Sequence, residues 1–570
     1  TGLDAIVDAS ARAGAAVAIV LEAETLAPER FDAARLAMLG DDGFALDVAD
    51  EGAHRNVLGD TGTTVVLAAA TSRLTRQYAA YEVLRRLGVR FYHPEDEYVP
   101  KIPDAQLRAR VAAPTAVHRD GADYVGDFYW RTWSFHLPHP LEHLEAFSDG
   151  DFPIDEAVHV NDWIVKNRGN RFRGPGRGVA SQESYDRRAA ELEELRQQLG
   201  FSRGAGIGLH NIQQGVKPDI DPSSPIPVQQ QIEDRVTQLL TDAPDARYFG
   251  IHFGPTELTV TPDEETVQWL DWAGQKALAL KPDIEVEINN HITGSQPSPH
   301  FDDLGCPNGT NDDGRIDYYD LAFHTDPRIG VTVHTVMFYP LEGPAEVYGQ
   351  HSFAHKLCLI DQAQAERRTI NWFPEGAWWL SFDNPVPVYL PLYMWTRWRD
   401  ADLLRPYLPR NGGTMRGHRM FNSGQEWGYW QQDYAGGLYG FNADVTPEQV
   451  LGELFDPLCA PEVWPQSCAA RDEAAAVLEE LIDHQRALFL EAADWEGRPG
   501  GLYAYFAGED DADVIAEITG IGFRPVRVGF DKLLNWSADD IALLRTTDLA
   551  ALTDSAERHA EWRARLEALT

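Results

Sequence analysis

The sequence predicts an α/β protein built on a (β/α)8 barrel, with a small α/β unit before the barrel and an α-helical region after it. Three observations lead there. Between about residues 116 and 440, strand-like and helix-like segments alternate eight times, the pattern of a (β/α)8 barrel. No G-x-G-x-x-G turn follows the first of those strands, as a doubly wound nucleotide-binding sheet would require. Beyond about residue 446 the periodicity becomes helical throughout. The division implied is 1–115, 116–440 and 441–570.

In the first region, Ala15–Leu21 is a continuous apolar run, Phe44–Val48 alternates, and Thr64–Ala69 is β-branched and apolar. A helix is expected over Thr75–Leu87, where Tyr78, Tyr81, Val83 and Leu84 make an apolar stripe and Gly88 ends it. The barrel strands are expected at Tyr124–Trp130, Asn170–Arg173, Gly206–His210, Tyr248–Phe253, Ile284–Asn289, Gly330–Met337, Thr369–Phe373 and Thr414–Phe421. Amphipathic helices are expected between them at Gln182–Leu199, Val228–Thr241, Asp263–Leu280 and Gln350–Glu366. The last region reads as helices over Thr446–Phe455, Ala469–Leu490, Asp510–Ile518 and from Ala538 to the end.

Composition narrows the function classes. Eighty-nine acidic against 49 basic residues give a formal charge of −40, a surface that repels nucleic acid and anionic membranes. No apolar run reaches the length of a membrane span. The chain opens on Thr1 rather than Met, as expected of a processed chain. Cys306, Cys358, Cys459 and Cys468 fit neither a CxxC motif nor a zinc ribbon. Pairing of 306 with 358 and of 459 with 468 would suit a secreted or periplasmic protein, and four buried thiols are the alternative. Seven of the 16 tryptophans fall between 372 and 430, including Trp372, Trp378 and Trp427. Indole faces pack against the C–H faces of sugar rings, so a carbohydrate is the expected partner. No metal or other cofactor is called for, and the oligomeric state stays open, a homodimer included.

In a barrel the chemistry sits at the C-terminal ends of the strands. After strand 4 comes His252-Phe-Gly-Pro-Thr-Glu257, and after strand 7 comes Asn371-Trp-Phe-Pro-Glu375. Cleaving an acetal needs one carboxylic acid to protonate the leaving oxygen and one carboxylate to attack carbon or activate water. Glu257 and Glu375, flanked by Gly, Pro and aromatic residues, are the expected catalytic pair. Glu285, Glu287 and Asn289 alternate on strand 5, so all three share one face. Glu287 and Asn289 are candidate sugar ligands. Asp127, Arg131, His210, Tyr339, Glu426, Trp372, Trp378 and Trp427 join them at or near strand ends. Arg131, Arg171 and Arg173 would suit an anionic sugar or pair with local carboxylates.

Two segments carry a family resemblance. Thr75–Pro103, TRQYAAYEVLRRLGVRFYHPEDEYVPKIP, resembles the end of the N-terminal domain that precedes the barrel in α-glucuronidases and β-N-acetylhexosaminidases. Asp162–Phe172, DWIVKNRGNRF, resembles the first barrel helix and second strand of those families. The likeness implies a glycoside hydrolase with a helical C-terminal domain. Glutamates after strands 4 and 7 also match the large retaining clan of barrel glycosidases, which implies Glu257 as acid/base and Glu375 as nucleophile. Thr256 stands where that clan carries Asn. An exo-acting retaining glycosidase acting on a plant or microbial polysaccharide, or on its oligosaccharides, is the expectation. Its rivals are a metal-dependent barrel hydrolase using His210, His252, His291 and His334, and a non-catalytic sugar-binding barrel. Asn308–Asp317 is rich in Asp and Gly, but its first position does not suit an EF-hand.

Overall fold

A computed structural model describes residues 17–21, 23–26, 30–49, 64–112, 123–135, 144–176, 181–209, 219–252, 261–290, 296–306, 314–343, 345, 352–376, 389–422, 430–459, 468–491, 537–543, 545–546 and 549–569. The chain begins with strands β1 (Val17–Val20), β2 (Phe44–Ala49) and β3 (Thr64–Ala70), with β3 between the other two. The helix Arg73–Arg86 packs on this sheet and is capped by Ser72, whose side chain accepts from the Thr75 N–H. A small hairpin of β4 (Arg90–His93) and β5 (Asp96–Tyr98) follows. β6 (Asp123–Tyr124) then returns to the edge of β2, where Tyr124 stacks on Phe44 at 4.6 Å.

The predicted barrel is present. Its strands are β7 (Trp130–Phe135), β8 (Arg203–Gly208), β9 (Ala246–His252) and β10 (Glu285–Asn289), followed, after a short antiparallel pair β11 (Pro297–Asp302) and β12 (Arg315–Asp317), by β13 (Gly330–Thr335), β14 (Ile370–Pro374) and β15 (Met415–Asn422). These seven barrel strands run parallel in the order β7-β15-β14-β13-β10-β9-β8. The eighth stave, expected at Asn170–Arg173, is reduced to its contacts. Asn170 N–H donates to the Arg131 carbonyl of β7 at 3.1 Å, and Arg171 bridges Ser202 beside β8. The first strand begins at Trp130 rather than ending there, because Tyr124 is claimed by the N-terminal sheet.

Helices Val228–Asp242, Asp263–Leu280 and Ala354–Ala365 pack their apolar faces into the main core of the barrel, Leu392–Leu404 joins it at Leu404, and Gln182–Leu199 packs into the core shared with the N-terminal sheet. Pro447–Leu454, Ala469–Phe489, Ala538–Leu543 and Leu549–Glu567 are helical as expected, while 510–518 lies outside the described residues. Cys306 bonds to Cys358 and Cys459 to Cys468. No described helix is long and apolar enough to cross a membrane.

The two segments that carried the family resemblance meet in space. Arg85 donates to the Lys166 carbonyl at 2.8 Å and to Asn167 at 2.7 Å, and Tyr78 donates to the Gly169 carbonyl at 2.5 Å. Their shared role is to dock the helix Arg73–Arg86 against the turn that leads into the second stave.

Candidate active site

The lumen is polar and ordered in layers along β10. Residues on strands that are not neighbours in the sheet can touch only through the barrel interior, so cross-lumen bonds identify which face points inward. Lowest is Glu285, which accepts from Trp130 Nε1 at 2.7 Å and from the Arg416 guanidinium of β15. Next is Glu287, gripped by Arg171 at 2.6 and 3.0 Å and by Asn371 Nδ2 of β14 at 2.8 Å. Uppermost is Asn289, whose amide oxygen accepts from Arg419 of β15. The alternation read from the sequence therefore does place Glu285, Glu287 and Asn289 in the lumen, each receiving one arginine.

Above these layers the mouth opens into a cavity of about 360 Å³, in the size range of small-molecule sites. Glycines on β8 and β9 make room for it. A Cβ at Gly204 would sit 2.1 Å from the Tyr248 ring, and one at Gly206 would sit 2.8 Å from the Gly250 carbonyl oxygen. Tyr248 in turn supports Arg171, whose guanidinium lies 4.2 Å from its ring centre. Ser134, Arg173, His252, Glu287, Asn289 and Arg419 supply the polar lining.

The charges are unevenly matched. Burial pushes the Glu287 carboxyl up, but the charge and hydrogen bonds of Arg171, with Arg419 nearby, hold it below its ordinary range. Glu287 is therefore an ionised, fully occupied anchor and a poor proton donor. Enclosure by protein and the neighbouring Arg419 lower His252 to about 4, so its ring is neutral at ordinary pH even though it opens to the cavity. Burial and Arg419 lower Arg173 to about 10.

Glu375 directly follows β14. Asn371 points into the lumen, so alternation puts Phe373 and Glu375 on the same side, and the Arg419 guanidinium lies 4.7 Å from the Phe373 ring centre. The Glu375 side chain is buried. Its Oε2 accepts from the Met337 backbone N–H at 2.5 Å, and its Oε1 lies 3.9 Å from His334 Nε2. Met337 has φ +55°, a left-handed conformation costly for a side chain of this size.

The helix Leu392–Leu404 holds that conformation from behind. Arg397 donates to Thr335 Oγ1 at 3.2 Å and to the Tyr339 carbonyl at 3.0 Å. Thr396 donates to the Phe338 carbonyl at 2.8 Å, and Asp400 accepts from the Leu341 N–H at 2.7 Å. The turn after β13 is thus fixed at both ends, with one backbone N–H aimed at the carboxylate.

The structure relocates four of the expected ligands. Asp127 and Arg131 lie at the N-terminal end of β7, away from the mouth. Arg131 is buried in a two-pronged pair with Asp42 at 2.7 and 2.8 Å, while Asp127 accepts from the Ala443 N–H and pairs with Arg410. Trp372 follows Asn371 and so faces outward, buried against Phe128 and the ring of His418 at 4.9 Å. Tyr339 is buried in the turn with its ring against Phe338. None of the four lines the cavity. Arg173, Glu287 and Asn289 do line it. Glu257, His210, Trp378, Glu426 and Trp427 lie outside the described residues, as does His291.

Arg419 and Ser134 were not singled out from sequence. Their signal was alternation on β15 and β7, which becomes readable only once the inward face is known. Among the described residues, Asp317, Asp320 and His355 form the one carboxylate–histidine group close enough to share an ion, and Lys356 already pairs with Asp320 there. They lie outside the cavity lining.

No protein-family model and no curated protein sequence matches the chain. Solved structures similar to it are glycoside hydrolases of several families. A family 89 glycoside hydrolase from Clostridium perfringens in complex with PUGNAc is 11% identical over 77% of this chain and 49% of its own, with a TM-score of 0.43. A family 115 4-O-methyl-α-glucuronidase with specificity for decorated arabinogalactans is 10% identical over 85% of this chain and 60% of its own, with a TM-score of 0.44. A family 20 β-N-acetylglucosaminidase is 11% identical over 80% and 95%, with a TM-score of 0.36. The chain spans about half the length of the family 89 protein. Likenesses at this level, with TM-scores below 0.5, bear on neither activity nor substrate.

Proposed function

We propose that the protein is a retaining, exo-acting glycosidase of plant or microbial polysaccharides or their oligosaccharides, with Glu375 as nucleophile and Glu257 as acid/base. The observation that carries this reading is the setting of Glu375. It is a buried carboxylate at the C-terminal end of the seventh barrel strand, held on one oxygen by a backbone N–H from a turn in a costly conformation. A carboxylate held so firmly is suited to attack at an anomeric carbon. In the first step Glu375 forms an ester to that carbon while the acid gives its proton to the departing oxygen. In the second, water is deprotonated by the same group and displaces Glu375.

The exo mode is read from a cavity of about 360 Å³, room for a single sugar residue; Glu375 is not among its described lining residues. Asn289, Arg419 and His252 offer donors and acceptors to ring hydroxyls. An exported location belongs to the same reading, supported by two disulfides, a state that persists in oxidising compartments.

The test is separate Glu375→Gln and Glu257→Gln variants assayed on a panel of aryl glycosides. Turnover falls by about three orders of magnitude or more in each, with sugar binding kept, if the pair is catalytic. Wild-type turnover in both variants discards the assignment.

A further inference from the structure

The segment between β10 and β13 is tied to the helix Ala354–Ala365 by the disulfide from Cys306 to Cys358. Beside it lies a cluster from the same two pieces of chain. Asp317 ends β12, Asp320 sits in the helical turn Tyr318–His324, and His355 stands three residues before Cys358 on the helix. Their exposures are 5%, 2% and 7%, so all three are more than nine-tenths buried. One oxygen or nitrogen from each falls within 4.8 Å of the others.

The His355 ring is oriented by its backbone neighbour. Its Nδ1 lies 3.2 Å from the Ser352 carbonyl oxygen, which can only accept, so Nδ1 carries the proton. In the neutral ring Nε2 is then a lone pair. That nitrogen is buried without a hydrogen-bond partner, and 3.5 Å from it stands Asp320 Oδ2, also buried without one. Two electron-rich atoms facing each other in this way repel. The other oxygen of Asp320 is held by Lys356. An imidazole that donates its second N–H to a backbone carbonyl, and a carboxylate with a donor on its outer oxygen, are the supports that orient metal ligands.

The spacing selects the ion. Zinc binds imidazole nitrogen and carboxylate oxygen at about 2.0–2.2 Å, so two ligands of a tetrahedron stand about 3.4 Å apart. His355 Nε2 and Asp320 Oδ2 match that at 3.5 Å. Calcium and magnesium take shells of oxygen, which an imidazole does not serve. Two carboxylates against the Lys356 ammonium leave a net negative charge among these residues to meet a dication.

We propose that Asp317, Asp320 and His355 bind a zinc ion, with water completing its shell. The ion is a second staple beside the disulfide, pinning the β10–β13 segment to the helix that leads into β14. None of its ligands lines the cavity, so the role is structural and does not depend on the glycosidase reading.

The full chain, stripped with a chelator and dialysed, is titrated by calorimetry with zinc chloride and with calcium and magnesium chlorides. About one zinc binds per chain at about micromolar strength or tighter, with the other two ions about 100-fold weaker, and zinc raises the thermal midpoint. Asp320→Asn and His355→Gln each weaken zinc binding about tenfold or more, with circular dichroism checking that each variant is folded. Should a variant not fold, anomalous diffraction at the zinc edge from wild-type crystals places the ion within bonding distance of His355 Nε2 and both aspartates. No zinc bound by the stripped chain, calcium or magnesium bound as tightly as zinc, a smaller loss in either folded variant, or an anomalous peak elsewhere with none at His355 each overturns the proposal.

Discussion

The backbone N–H of Met337 donates to Oε2 of Glu375 at 2.5 Å, from a residue whose φ is +55°. One strand end thereby fixes the carboxylate carried by the next. The turn that supplies the donor is held by Arg397, Thr396 and Asp400 on the helix behind it, none of which lines the cavity.

Arg397 is accordingly a positioning residue. Arg397→Met frees the Tyr339 carbonyl and Thr335 hydroxyl, so the Met337 donor drifts from Glu375. We expect kcat to fall by about 100-fold with KM changed little, because small misplacement of a reacting group is costly. Steady-state kinetics beside a melting curve makes the check. A kcat within about twofold of wild type, in a folded variant, would show that the clamp has no bearing on catalysis.

The pair between Glu287 and Arg171 predicts a particular pattern of stability. Glu287→Gln leaves a buried guanidinium without its counter-charge and should cost about 3–5 kcal/mol in denaturant unfolding. Arg171→Met combined with Glu287→Gln should cost less than the two single changes together. Simple additivity would mean that the two side chains act independently.

His418 sets an acid limit. Its ring is buried between Trp372 and Phe128, and burial, with Arg397 and Arg131, lowers it from 6.5 to about 3. A folded-state value below the unfolded one means stability that is fully present above pH 6.5 and is lost as pH falls toward 3. The loss amounts to at most about 5 kcal/mol. His418→Gln should flatten the stability profile across that window. An NMR titration placing the His418 ring near its ordinary value would contradict this.

The two disulfides close loops of 52 and 9 residues in sequence separation. Loop entropy makes the longer one worth about 4 kcal/mol and the shorter about 2.5 kcal/mol. Thiol titration of the native protein should find no free cysteine, and Cys306→Ser should destabilise more than Cys468→Ser. The reverse order would locate the stabilisation elsewhere.

Much of this was legible in the sequence, though unevenly. Helices Gln182–Leu199 and Asp263–Leu280 were readable to the residue because apolar spacing over eighteen positions leaves little freedom. The ladder Glu285, Glu287, Asn289 was readable because strand alternation is strict. Its arginine partners were not, since Arg171 and Arg419 arrive from strands far away in sequence. Asp127 and Arg131 were misplaced for a specific reason. The aromatic run from Tyr124 to Trp133 is compatible with strand throughout, and putting the strand at 124–130 turned its true start into its apparent end. Trp372 was misread because its face depends on register, which a single sequence does not supply. The glycines of β8 carry no side chain from which a site could be read. They are what opens the cavity.

Glu375 as nucleophile is tested most directly by trapping. A 2-deoxy-2-fluoro glycosyl fluoride chosen from the aryl-glycoside screen slows release of the glycosyl–enzyme ester, and peptide mass mapping then locates it. A single added sugar on the peptide containing Glu375, lost in Glu375→Gln, is the predicted result. An ester on Glu257 or Glu287, or hydrolysis with inverted configuration and no trapped ester, would contradict it.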